Sequence, residues 1–94
     1  MTTQFINEVC TTIQKLSLAH NVRFYGKGGM PFASPVLDGY LCTQRHTITP
    51  EKTAEILGSD DFDSLESAWY RILRFYLDQL GWRDVELKIE KREA

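Results

Sequence analysis

The segment from Asp63 to Leu80 constrains this chain more than any other, because as a helix it carries more apolar surface than one core face absorbs. On a helical wheel its apolar residues sweep roughly 220°, against about 100° for a helix lying on a protein surface. Ser67, Arg71, Arg74 and Asp78 fill the narrow remainder. Trp69, Leu73, Tyr76 and Leu80 mark the middle of the arc, and Tyr70 and Phe75 lie near its margins. Such a helix must either be surrounded by other elements of its own chain or offer its margins to a partner.

The other elements follow from spacing. Phe5, Ile6, Val9, Cys10, Ile13 and Leu16 recur at helical intervals and predict an amphipathic helix from about Thr3 to Ala19, capped by Thr2 or Thr3 and stopped by a left-handed Asn21. Val22–Tyr25 alternates like a short strand. Residues 26–35, with three glycines and two prolines, form the one clear loop. Val36 to about Thr47 reads as extended, with Asp38-Gly39 as a bulge. Thr49-Pro50-Glu51 starts a short helix that ends at Gly58: a capping hydroxyl, a proline at the first helical position, then an acid near the positive end. Asp63 and Glu66 form a capping-box-like pair at the start of the long helix, and Gly81 closes it. Val85, Leu87 and Ile89 alternate with Glu86, Lys88 and Glu90 in a last strand, one face buried and one wet.

These elements predict an α+β fold: a two-layer sandwich of order α-β-β-α-α-β, with helices packed on one face of a small three-stranded sheet. The 94 residues make a single domain, 1–94, in which Lys91 to Ala94 fray. No basic leader precedes an apolar run and no stretch approaches the roughly 20 apolar residues of a membrane span, so neither a signal peptide nor a membrane is expected. Two cysteines form no disulfide framework, which makes a reducing cytoplasm the default.

A formal charge of −2 argues against a strong nonspecific hold on nucleic acid. The charge is unevenly placed, however: residues 1–46 carry four basic and two acidic side chains, and residues 47–94 carry seven and eleven. Around the flexible loop, Arg23, Tyr25, Lys27, Phe32, Arg45 and His46 mix cations with aromatic rings, the combination that single-stranded nucleic acid uses.

Catalytic and metal chemistry find little support. Cys42 and His46, four apart in an expected strand, would stand about 13 Å apart, too far for a local chelate. Cys10 and His20 would be about 15 Å apart along a helix axis. Cys10 belongs to an apolar face, and nothing sets Cys42 against a histidine as an activated nucleophile. Asp60-Asp61-Phe62-Asp63 lacks the alternating oxygens, mid-loop glycine and distal glutamate of a calcium loop. Gly26-Lys27-Gly28-Gly29 is followed by Met30-Pro31 rather than by the Lys-Ser/Thr and helix of a phosphate loop.

The element order also resembles the type II KH topology. That family grips nucleic acid with a Gly-x-x-Gly loop between its two central helices. The matching loop here, Gly58-Ser59-Asp60-Asp61, keeps the first glycine and sets an aspartate at the second, where carboxylates repel a phosphate backbone.

The leading expectation is a non-enzymatic protein-interaction domain: a small cytoplasmic adaptor, regulator or inhibitor that acts by surface binding. Its partner-binding residues are Tyr70, Arg71, Arg74 and Phe75, types that dominate binding hot spots, and self-association through the same helix is one variant. The alternative is a nucleic-acid-binding domain of KH-like topology using Arg23, Tyr25, Lys27, Phe32 and Arg45. Neither reading needs a catalytic residue, a metal or a cofactor.

Overall fold

The computed structural model describes residues 2–90, apart from the side chains of Ala19 and His20; the expected fraying of residues 91–94 lies outside the described residues. The chain runs through α1 (Thr3–Lys15), α2 (Leu18–Asn21), β1 (Val22–Tyr25), a 3₁₀ turn at Lys27–Gly29, β2 (Pro31–Phe32), α3 (Pro35–Thr47), α4 (Pro50–Leu57), α5 (Leu65–Gln79) and β3 (Glu86–Ile89). The strands form one antiparallel sheet of order β2-β1-β3, and helices pack on it. The fold class is the expected α+β, and the element order, roughly as expected, departs most at one place.

That place is residues 36–47, which are helical rather than extended. Ser34 caps the helix by accepting from the Leu37 N–H at 3.2 Å, Pro35 occupies the first turn, and Asp38 sits near its positive end. These are the same signals that mark Thr49-Pro50-Glu51. They are masked here by Gly39 inside the helix and by the β-branched Val36, Thr43 and Thr47, which favour strands in isolation. Burial decides the outcome: Leu37 and Leu41, one turn apart, are both fully buried, and the edge of Tyr40 meets the Tyr76 ring of α5 at 6.4 Å. The second strand is therefore the two-residue β2, inside the segment expected to be loop.

The first helix is also shorter than its periodicity suggests. Leu16 and Leu18 are both buried, yet residues two apart on a helix point to nearly opposite sides. An extended Leu16 (φ −63°, ψ 130°) ends α1 and lets both leucines enter the core, Leu18 as the first residue of the single turn of α2. Asn21 is not a left-handed stop, since every described positive-φ residue is a glycine. It carries α2 straight into β1, and it is tied to the far end of β3: its carbonyl accepts from Glu90 N–H at 2.7 Å and its Nδ2 donates to the Glu90 carbonyl at 2.9 Å.

α5 begins one residue later than expected, with Ser64 rather than Asp63 as the cap, accepting from the Ser67 N–H at 3.2 Å. Most of its broad apolar arc is consumed internally. Ala68, Trp69, Ile72, Leu73, Tyr76 and Leu77 are buried, and Trp69 Nε1 donates to Thr12 Oγ1 of α1 at 3.0 Å. α1, α3, α4 and β3 all pack against this one helix. Leu80, expected at the centre of the arc, instead lies 40% exposed at the C-cap. There Gly81 adopts φ 85°, its N–H donates to Asp78 O at 3.0 Å, and Trp82 N–H donates to Leu77 O at 3.0 Å. This pair of bonds is a Schellman motif, and it turns the chain back toward β3.

Candidate interaction site

The sheet carries one inward and one outward face. Val22, Phe24 and Leu87 are buried, with Phe32 and Ile89 packed against them, while Arg23, Tyr25, Glu86 and Lys88 alternate onto the other side. Arg23 stands opposite Lys88 and Tyr25 opposite Glu86, and Lys88 Nζ lies 5.5 Å from the Tyr25 ring.

The hydrogen-bond phase of the sheet follows from its ends. Asn21 and Glu90 exchange a backbone bond, so the register of Val22 with Ile89 makes 21↔90, 23↔88 and 25↔86 the hydrogen-bonded pairs of β1 and β3. The N–H and C=O groups of Glu86 and Lys88 consequently point inward, to β1. Those of Leu87 and Ile89 point the other way, to the outer edge of the sheet. On the opposite side, Gly26 N–H donates to Met30 O at 2.8 Å, which fixes 26↔30 and 24↔32 as the bonded pairs. Pro31 then faces outward, where its missing N–H costs no ladder bond.

A groove of about 320 Å³ runs along the outer edge of β3, walled by Leu87, Lys88 and Ile89 on the strand and by Glu66, Ser67 and Tyr70 on α5. Tyr70 is 43% exposed and overlooks that edge. Of the four residues expected to bind a partner, only Tyr70 lines the groove.

Arg71 instead forms an exposed ion pair with Asp60 at 2.7 Å. Arg74 fastens the connection from α5 to β3: its guanidinium bonds Asp78 at 2.8 Å, the Trp82 carbonyl at 2.6 Å and the Val85 carbonyl. Phe75, five residues from Tyr70 and so about 140° around the helix, leans on Tyr76 and lies under Lys52, whose Nζ is 5.3 Å from the ring. The two margins of the arc thus face different neighbours, and the four residues form no single patch.

The residues of the alternative reading are also separated. Arg23 and Tyr25 share the outer face and Lys27 is exposed on the 3₁₀ turn beside it. Phe32 points inward, its ring 6.1 Å from that of Phe24. Arg45 lies on α3 and reaches α1, donating to Gln14 O at 3.5 Å, with Cys42 Sγ 3.7 Å away. A second cavity, about 330 Å³, is lined by Leu18, Val22, Phe24, Phe32 and Ala33, with Arg23 and Asp38 at its polar side.

The helical α3 also revises the geometry of Cys42 and His46, which stand one turn, about 6 Å, apart along its axis rather than 13 Å. Among the described residues no group of three or more histidine, cysteine or acidic side chains is placed to hold a metal. Cys10 is buried, and its thiol donates to the Ile48 carbonyl at 3.6 Å. Burial pushes the Tyr76 phenol above its ordinary value of 10.0, with Tyr40 and Glu55 adding to the shift, so at neutral pH it is an uncharged core group.

No helix among the described residues is long and apolar enough to cross a membrane. Comparison with protein-family models, with curated proteins and with solved structures finds no match for this chain.

Proposed function

We propose that this chain is a non-enzymatic protein-interaction domain that takes an extended polypeptide segment along the outer edge of β3. The observation that carries this reading is the coincidence of three things at one place: outward-pointing backbone groups at Leu87 and Ile89, a groove between that edge and a helix, and an exposed tyrosine overlooking it. An added strand draws affinity from main-chain bonds and specificity from side-chain pockets, and a helix beside an edge strand supplies both. Tyr70 contributes a large, stiff contact at low entropic cost. The role is that of a small adaptor, regulator or inhibitor. The free thiols of Cys10 and Cys42 suit a reducing, cytoplasmic setting.

Peptides selected from a random display library, titrated into labelled protein, test the reading. Binders are expected to slow amide exchange at Leu87 and Ile89, and Tyr70→Ala is expected to weaken them by about tenfold or more. Leu87 and Ile89 amides already protected in the free monomer would overturn the reading. So would binders that perturb only other surfaces. Shifts confined to Arg23, Tyr25 and Lys27 on adding single-stranded RNA, with a steep loss at higher salt, would transfer the function to nucleic acid.

A further inference from the structure

We infer that the segment added to β3 is β3 of a second copy of this chain, so that two copies form one continuous six-stranded sheet. This rests on the strand-addition reading above and names its occupant.

The inference comes from the sequence Val85-Glu86-Leu87-Lys88-Ile89 set against the hydrogen-bond phase of the sheet. Two identical antiparallel strands meet about a two-fold axis, and only odd-numbered residues present backbone groups to the outer edge. The axis must therefore pass through a residue pair that keeps odd opposite odd. Centred on Lys88, the pairing sets lysine against lysine and Glu86 against Glu90, which is repulsive throughout. Centred on Leu87, it sets Glu86 of each copy opposite Lys88 of the other, giving two ion pairs. Those pairs fall at non-hydrogen-bonded positions, where facing side chains come closest.

The same register sets Leu87 against Leu87 and Val85 against Ile89 on the inward face, so the apolar underside continues across the junction. Leu87 of each copy exchanges both of its backbone bonds. The Val85 carbonyl, already bonded by Arg74, keeps a second lone pair for the Ile89 N–H opposite it.

The assembly also closes. Pairing uses the outer edge of β3 in both copies and leaves β2 at each end. Pro31 there offers no donor, so growth stops at two chains. Charged residues on an edge strand commonly repel strays. Here glutamate and lysine alternate in a pattern that repels the Lys88-centred register and accepts the Leu87-centred one.

Sedimentation equilibrium over a wide range of protein concentration is the test, with circular dichroism to verify folding of each variant. Glu86 and Lys88 are exposed, so their substitution spares the core. Lys88→Glu and Glu86→Lys each replace two attractions with two repulsions and are expected to weaken the dimer by about tenfold to a hundredfold. An equimolar mixture of the two variants is expected to restore pairing as a heterodimer, because each repulsion becomes an ion pair again. The double variant E86K/K88E is expected to dimerise like the parent.

A parent chain that stays monomeric at about millimolar concentration overturns the inference. So does a mixture of single variants that pairs no better than its components. The two readings fail separately. A monomeric chain whose Leu87 and Ile89 amides become protected by a foreign peptide loses the second copy but keeps the groove. Protection of those amides in a dilute monomer removes both.

Discussion

The two outer edges of this one sheet are built in opposite ways. β2 is two residues long, and the residue it turns outward is Pro31, which has no N–H. β3 is twice as long, turns Leu87 and Ile89 outward with complete backbone groups, and lies beside a groove and an exposed tyrosine. Both are edges by topology, yet only one is equipped to pair. Natural sheets blunt the edges they do not use with proline, shortness and charge. The β2 edge carries the first two of these devices, while the charges on β3 come in alternating sign. The proposed strand addition rests on this difference and calls on no catalytic group.

Moving the proline from one edge to the other gives the largest expected effect. Lys88→Pro removes an N–H that points to β1, deleting a ladder bond in the middle of the sheet, and is expected to cost about 3 kcal/mol or more. Ile89→Pro removes an N–H that points outward, spares the ladder, and loses only part of a half-buried side chain, for about 1 kcal/mol. Urea unfolding of the two variants reads the difference directly. The Ile89 variant is expected to remain folded and to lose strand addition, because its edge then resembles that of β2. Equal destabilisation by the two substitutions would mean that the phase assigned to β3 is wrong.

A smaller effect separates the ways in which the two edges are anchored. β3 is held at its entrance by Arg74, which bonds Asp78 and the carbonyls of Trp82 and Val85 from a side chain only 18% exposed. Arg74→Ala leaves those acceptors without a charged donor and is expected to destabilise the fold by about 2 kcal/mol. Arg74→Lys is expected to recover less than half of that, since one ammonium cannot span a carboxylate and two carbonyls. Thermal denaturation measures both, at roughly 4–8 °C per kcal/mol for a domain of this size.

Much of this arrangement was legible in the sequence, and the rest was hidden for identifiable reasons. The breadth of the α5 apolar arc announced that its own chain or a partner must cover it, and α1, α3, α4 and β3 cover most of it. The alternation from Val85 to Ile89 announced a strand with one wet face. Its hydrogen-bond phase, however, depends on the Asn21–Glu90 contact, which joins residues far apart in the chain and leaves no local trace. The spacing of Arg74 and Asp78 was visible, but two of the acceptors of Arg74 are backbone carbonyls that any residue could supply. Leu37 and Leu41 stood at helical spacing behind a Ser-Pro cap, yet Gly39 and three β-branched residues spoke locally for extended structure. Burial against the rest of the fold outweighed that local preference.

The smallest effect is expected at the blunted edge. Pro31→Ala supplies an outward N–H and frees a backbone torsion in the unfolded chain, for a loss of about 0.5 kcal/mol. Proline and shortness both protect β2, so the variant separates them. Two residues offer too few main-chain bonds to offset the entropy of docking another chain, so sedimentation is expected to reveal no species beyond those of the parent. Higher oligomers at rising concentration would show that proline, rather than strand length, is what closes this end of the sheet. The contrast between the edges would then rest on a single missing N–H.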